Sequence, residues 1–213
     1  MMQRKPSVNH VAQSQPLLET EPVHLSKSKV GMTCLIITES CFFLAFIVTY
    51  LFYIGKDVAQ GIAGPTPQEV LGLELVLLNS VFLLSSSIWV VLAVKNLMAG
   101  RRGRFLFWMF LTIVCGLEFI LGTGYEWYGL IVEHELWIDT NLFGTTFFSL
   151  VGFHLFHVCI GVTGLSIIFF CGLANVIRPH QHEAVDVFTW YWHFVDAIWI
   201  FVFSTVYLIG YFG

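Results

Sequence analysis

Five apolar segments, each long enough to cross a lipid bilayer, constrain this chain more than any other feature. They cover roughly residues 32–54, 70–94, 105–128, 143–173 and 186–212, and a helical crossing needs about 20 residues. A backbone inside a bilayer must satisfy its own hydrogen bonds, and these runs lack the alternation of transmembrane barrel strands. With 57% hydrophobic and 11% charged residues, the composition lies far from that of soluble domains. We therefore predict an all-α polytopic membrane protein, a five-helix bundle.

The segment before the first apolar run, residues 1–31, is predicted to be a polar N-terminal tail. Pro6, Pro16, Pro22 and scattered polar residues leave it without the continuous apolar core of a secretory signal peptide. Residues 32–213 then form one domain that contains the five spans. All five cysteines fall inside apolar runs without the spacing of a metal site, so we interpret them as small buried hydrophobic residues.

The basic residues predict which side of the membrane each connection occupies. Nine of the ten lysines and arginines lie in the tail, the second connection and the fourth connection, whereas Lys56 lies in the first. Because cytoplasmic loops carry the excess of positive charge, we expect the N-terminus in the cytoplasm or its organellar equivalent. An odd number of spans then places the C-terminus on the periplasmic, or outer, side.

Polar groups occur inside the last span, in the stretch Trp190-Tyr-Trp-His-Phe-Val-Asp. His193 and Asp196 are three positions apart, so a helix presents both on one face, where they can bond a partner instead of meeting lipid. We interpret this face as a polar seam that joins the fifth span to the first and fourth. The alternative, a catalytic pair, is not accompanied by a nucleophile or a cofactor motif.

Helical rise places polar groups of different spans at comparable depths. Glu39 lies about 10 Å from the cytoplasmic end of the first apolar run, and His157 and His193 fall in the same layer. His154 and Asp196 lie roughly one turn further out. A second layer, nearer the outer side, brings together polar side chains of the second and third spans, namely Glu74, Asn79 and Glu118.

Glu39 and His157 allow more than one interpretation. In a structural interpretation, the carboxyl and the imidazole bond to each other and hold two helices together, because such groups are costly in hydrocarbon unless paired. In a functional interpretation, an intramembrane carboxyl near the cytoplasmic side exchanges protons. Contact with a lipid head group or with another subunit is a third alternative.

His154 and His157, three positions apart, are candidates for haem or metal ligation. Their helix face continues through Gly161 and Gly164, small residues that allow a neighbouring helix to approach closely. A zinc or copper site would need further ligands that the chain does not obviously supply. We therefore favour a packing seam over ligation, and we expect no metal or other cofactor in this chain.

The fourth connection carries Arg178, His180 and His182. A solvated cytoplasmic loop is the simpler interpretation of these side chains. Contact with anionic lipid head groups is the functional alternative.

A set of short motifs follows the spans in order. These are Glu39-Ser-Cys-Phe-Phe, Thr66-Pro-Gln-Glu-Val, Leu78-Asn-Ser, Gly124-Tyr-Glu-Trp-Tyr, Gly144-Thr-Thr-Phe-Phe, Gly152-Phe-His-Leu-Phe-His-Val and Trp190-Tyr-Trp-His-Phe-Val-Asp. Each motif is weak by itself, but in this order they are specific. Over residues 32–213 the chain resembles subunit III of the haem-copper terminal oxidases, the family of cytochrome c and quinol oxidases.

The resemblance also assigns individual residues. Glu39 matches the family's buried helix carboxylate, His157 and His193 match family histidines, and Glu126 lies within the motif that ends the third span. Two departures stand out. The chain resembles the short form with five helices rather than seven, and Leu155-Phe156 replaces the small pair usual between the two histidines of the fourth span.

The resemblance implies a noncatalytic subunit of a cytochrome c oxidase in aerobic respiration. Haems and copper would belong to subunit I and its partners, and this chain would pack beside subunit I in a complex with subunit II and further respiratory subunits. Its implied roles are to stabilise subunit I, to support proton uptake, and to organise lipid, including bound phospholipid. The expected location is the bacterial inner membrane, and no nucleic-acid partner is expected.

Other functions remain open at this point. Subunit III of a quinol oxidase or a homologue associated with a nitric oxide reductase would carry similar motifs. An independent proton channel or transporter would use Glu39 and the layered histidines. A haem-binding quinol enzyme would use His154 and His193 as ligands.

Overall fold

Five long helices account for most of the described chain. The structure, a computed structural model, describes residues 26–57, 61, 64–177 and 182–209. The helices are α1 (Lys27–Tyr53), α2 (Leu73–Met98), α3 (Arg102–Val132), α4 (Leu142–Leu173) and α5 (His182–Phe203), and α5 continues as a π-helix over Ser204–Ile209. All five have the length and composition of membrane spans, and the described residues contain no strand. The all-α five-helix prediction is confirmed.

The helices extend beyond the apolar runs that predict them. α1 begins at Lys27, because the Ser26 side chain accepts a hydrogen bond from the Lys29 backbone N–H at 3.4 Å and caps the helix. Residues 27–31 are therefore helical although they belong to the polar segment of the sequence. α3 begins at Arg102, inside the basic connection. An apolar run marks the part of a helix that suits hydrocarbon, whereas capping groups decide where the helix ends.

α5 is the most buried of the five helices, and α1 is the least buried. α5 packs against α1, α2 and α4, while α2 and α3 form the most extensive helix pair. α1 lies at the edge of the bundle against α4 and α5. Side chains of α5 also reach α3, where Trp192 packs against Gly116, so α5 has all four other helices as neighbours.

Glycines of α3 and α4 make room for the fully buried Trp192 of α5. A Cβ on Gly161 would lie 2.6 Å from Cζ3 of Trp192, and a Cβ on Gly116 would lie 2.9 Å from its Cη2. A Cβ on Gly164 would collide with the ring of Phe188, also on α5. The close helix approach expected at Gly161 and Gly164 is confirmed, and the helix that approaches is α5.

Two side chains from outside α4 supply partners for its first N–H groups. Asp57 accepts hydrogen bonds from the backbone N–H of Leu142 at 3.1 Å and of Phe143 at 2.9 Å. Asn141 accepts from the N–H of Gly144 at 2.7 Å. All of the first three backbone donors of α4 are therefore satisfied, and a carboxyl lies at the positive end of the helix dipole.

The other end of α4 has a matching partner in Arg102. Its Nε donates to the carbonyl of Gly172 at 3.0 Å, and its Nη2 donates to the carbonyl of Leu173 at 2.6 Å. A cation at the carbonyl end of a helix is favourable for the same electrostatic reason as a carboxyl at the N–H end. From sequence alone, Asp57 and Arg102 are only loop charges; in the fold they hold the two ends of α4.

Asp57→Ala should lower the free energy of unfolding by about 0.5–2 kcal/mol, the usual effect of removing a helix cap. Asp57→Asn, which keeps one acceptor oxygen, should lower it less. Thermal unfolding of the detergent-solubilised protein measures both changes. Asp139→Ala is the control, because Asp139 is an exposed acid in the connection before α4, and equal effects at both positions would contradict the capping role.

Gly161→Ala should destabilise the protein by about 1–3 kcal/mol, because the added methyl group overlaps a tryptophan that is already fully packed. Gly124→Ala is the matched control, because a Cβ there meets nothing within 4 Å. Alanine has the higher helix propensity, so this substitution should not destabilise the protein. Chemical denaturation in detergent should separate the two variants. Equal stability of the two would show that Trp192 does not need the space at Gly161.

Candidate functional site

Glu39 of α1 and His157 of α4 meet across a helix interface. Nε2 of His157 lies 3.2 Å from Oε2 of Glu39. The other ring nitrogen, Nδ1, lies 2.8 Å from the backbone carbonyl oxygen of Phe153. The similar depth expected for Glu39 and His157 thus corresponds to a direct contact between their side chains.

The hydrogen bonds of His157 define how many protons the pair holds. A carbonyl oxygen only accepts, so Nδ1 must carry a proton that it donates to Phe153. A hydrogen bond between Nε2 and the Glu39 carboxyl then requires one further proton, either on the carboxyl or on the ring. In both arrangements the two side chains together are electrically neutral, which avoids the cost of an isolated charge in hydrocarbon.

The pair lies between an aromatic wall and the surface of the bundle. The Phe43 ring centroid is 5.1 Å and the Phe153 centroid 4.6 Å from that of His157. The Tyr191 hydroxyl donates to the His157 backbone carbonyl at 3.1 Å. The His157 side chain is 6% exposed, whereas that of Glu39 is 25% exposed. The carboxyl is therefore accessible from outside the bundle, and the imidazole is not.

His193 and Asp196 bond to α2, not to α1 and α4 as the sequence suggested. Nδ1 of His193 lies 2.9 Å from Oγ of Ser87, and the same hydroxyl donates a hydrogen bond to Oδ2 of Asp196. The predicted seam is wrong for these two residues because depth specifies height along a helix but not direction around it. Asp186, at the start of α5, does reach α1, where Lys29 lies 3.6 Å away.

Serines of α2 also accept hydrogen bonds from the indole N–H groups of α5. Trp192 Nε1 donates to Oγ of Ser86, and Trp199 Nε1 donates to Oγ of Ser80, each at 2.8 Å. Each serine hydroxyl then donates to a backbone carbonyl of α2, at 2.5 and 2.6 Å. The sequence does not predict these contacts: Ser80 occurs in the Leu78-Asn-Ser motif, and Ser86 lies in a run of three serines at 85–87, an unusual cluster for an apolar span.

His154 lies in the centre of the bundle. It is fully buried, and its ring stacks on that of Trp199 with centroids 4.9 Å apart. The rings of Phe43 and Phe119 meet it edge-on. Within the described residues neither ring nitrogen has a hydrogen-bond partner, and no cluster of three or more His, Cys, Asp or Glu side chains there is arranged to hold a metal. His154 therefore packs as an aromatic ring.

Two separate polar contacts lie toward the outer side, with Tyr207 and Glu126 about two turns beyond the layer that holds Asn79 and Glu118. With its amide nitrogen facing the carboxyl, Asn79 of α2 donates to Oε1 of Glu118 on α3 at 3.0 Å. Tyr207, in the π-helical end of α5, lies 3.0 Å from both carboxyl oxygens of Glu126 on α3. Glu74, which the sequence places in the same layer, is exposed near the start of α2.

The candidate lipid contacts are only partly described. Arg178 and His180 lie outside the described residues. His182 is the first residue of α5 and is half-buried. Contact of these residues with lipid head groups stays a prediction.

Comparison with known proteins identifies the family. Residues 19–211 match the family model for cytochrome c oxidase subunit III. A protein named cytochrome c oxidase subunit 3 from Alkalihalophilus pseudofirmus is 32% identical over 172 residues, which cover 81% of this chain and 82% of that protein. The protein of the same name from Syncerus caffer is 35% identical over 194 residues, 89% of this chain and 72% of the relative. The chain belongs to the cytochrome c oxidase subunit III family.

Proposed function

We propose that this chain is a noncatalytic subunit of its oxidase complex, and that Glu39 and His157 store and exchange a proton next to subunit I. Membership of the subunit III family supports a role in a cytochrome c oxidase. The expected partners are subunit I, which would hold haem and copper, together with subunit II and further respiratory subunits. The proposed location is the bacterial inner membrane, with the N-terminus in the cytoplasm.

The observation that carries the proton-exchange role is the geometry of the Glu39–His157 pair. Nε2 and Oε2 lie 3.2 Å apart, so a hydrogen bond between them holds one shared proton, and moving that proton from one side chain to the other changes no net charge. A pair of this kind holds a proton in hydrocarbon at a lower cost than a lone carboxyl. Because Glu39 is partly exposed at the bundle surface, the carboxyl is the group that a donor or acceptor on a neighbouring molecule would reach.

A structural role for the same pair predicts energetic coupling between its members. Glu39→Ala and His157→Ala should each destabilise the protein by about 1–3 kcal/mol, because each leaves a polar partner unsatisfied. The double variant should lose at least 0.5 kcal/mol less than the sum of the single effects. Ser40→Ala combined with His157→Ala is the control cycle, since the Ser40 hydroxyl donates to the Ile36 carbonyl of its own helix. Additive effects in both cycles would exclude a contact between Glu39 and His157.

The test of the proposed function begins with the native complex. A tagged chain purified in mild detergent should bring down subunit I with its haems. Recovery of a stable haem-free protein without partners would contradict the accessory role. The chain reconstituted alone in liposomes should not pass protons, and conduction abolished by Glu39→Gln would favour an independent channel.

Within the purified complex, Glu39→Gln should slow proton uptake during turnover while haem content stays unchanged. The amide keeps the shape of the side chain and its ability to hydrogen bond, but it neither binds nor releases a proton near neutral pH. Glu39→Asp, which keeps a carboxyl group, should restore part of the rate. Stopped-flow measurement with a pH indicator follows the uptake. If the Glu39→Gln complex takes up protons at the wild-type rate, the Glu39–His157 pair has a structural role only.

A further inference from the structure

A groove between α2 and α3 opens on the lateral surface of the bundle and has a polar floor. Its volume is about 490 Å³, and its walls are apolar side chains of both helices: Leu75, Val114, Leu117, Leu121 and Tyr125. The floor contains Asn79, Glu118 and Gly122. Leu121 and Tyr125 are 72% and 71% exposed. The groove is therefore open to whatever surrounds the bundle.

Only one of the two carboxyl oxygens of Glu118 accepts a hydrogen bond from the described part of the chain. Asn79 donates to Oε1 at 3.0 Å, but Oε2 has no partner within the described residues. Asn79 itself is fixed, because it lies against the backbone of Gly122, where a Cβ would collide with its amide. Oε2 is buried in the chain by itself, and because the terminal torsion of a glutamate is broad, rotation of the carboxyl turns an oxygen toward the groove.

The depth of Glu118 restricts what fills the groove. The residue is 16 positions after the first residue of α3 and 14 before the last, which is roughly 24 Å and 21 Å of helix. Its partner Asn79 lies six positions, about 9 Å, from the outer end of α2, so Glu118 lies inside the hydrocarbon core, toward its outer side. Lipid head groups lie at the edge of that core, and acyl chains donate no hydrogen bonds. A second protein helix, by contrast, is able to present a polar side chain at this depth.

We propose that the α2–α3 groove docks a transmembrane helix of another oxidase subunit, and that a side chain of this helix donates a hydrogen bond to Glu118. Ser, Thr, Tyr and basic residues supply such donors. Glu118 and the groove walls lie on a different helix interface from the Glu39–His157 pair, which joins α1 to α4. The inference rests on the proposed place of the chain in an oxidase complex, and it specifies the face that meets a partner.

Photocrosslinking in native membranes tests this proposal. Benzoylphenylalanine in place of Leu121 should, on illumination, join this chain to another polypeptide of the complex, which mass spectrometry would identify. Adding Glu118→Leu should reduce the yield of this adduct several-fold, whereas Glu118→Gln, which keeps hydrogen-bonding capacity, should retain most of it. Glu74→Leu is the control, because Glu74 is a carboxyl of α2 outside the groove.

The outcomes separate this inference from the proposed function. If the oxidase complex purifies intact but the probe at Leu121 reacts only with lipid or a quinone, the groove does not dock a helix, and the accessory role stands. A polypeptide adduct whose yield is unchanged by Glu118→Leu would overturn the role of Glu118. If Glu118→Leu fails to fold, the adduct formed by the Leu121 probe in the protein that retains Glu118 still shows whether a polypeptide occupies the groove. Absence of any complex would contradict the proposed function and this inference together.

Discussion

The absence of water from the bilayer core is the constraint on which this structure depends. A polar side chain there is costly unless it finds a partner on another helix or on its own backbone. α5 shows the consequence most clearly. Its indole and carboxyl groups bond serines of α2, its Tyr191 hydroxyl bonds the backbone of α4, and Asp186 meets Lys29 of α1. The packing of α5 against its neighbours thus also supplies most of its polar groups with hydrogen-bond partners.

Two kinds of polar contact result, and they differ in accessibility. The contacts between Trp192, Trp199 and the α2 serines lie in the core, where each hydroxyl also bonds a backbone carbonyl. Such contacts fix helix position, and every N–H and O–H donor in them is already used. The carboxyl of Glu39 is partly exposed at the bundle surface, and Glu118 lines the floor of the open α2–α3 groove. The proposed proton exchange and subunit docking both use this second kind, because only an exposed group meets another molecule.

The candidate site was predictable in part. Helical rise brought Glu39 and His157 to one depth, and the side chains do meet. The same reasoning brought Asn79 near Glu118, but it failed for the partners of His193 and Asp196. Depth follows from counting residues along a helix, whereas the rotation of each helix follows from side-chain packing. The capping role of Asp57 is not predictable for a related reason. A residue distant in sequence caps α4 only because the fold brings it to the start of that helix.

The sequence by itself determined the number of spans, the all-α class and the family, because hydrocarbon imposes a length and a composition on every crossing segment. It also identified the glycines of α4 as a place of close approach. Only the tertiary structure decided which helix fills that place, and it decided that α5 directs His193 and Asp196 toward Ser87. The physical reason is steric: the Trp192 ring fits between Gly116 and Gly161. That fit fixes the rotation of α5 and, with it, the partner of each polar side chain along the helix.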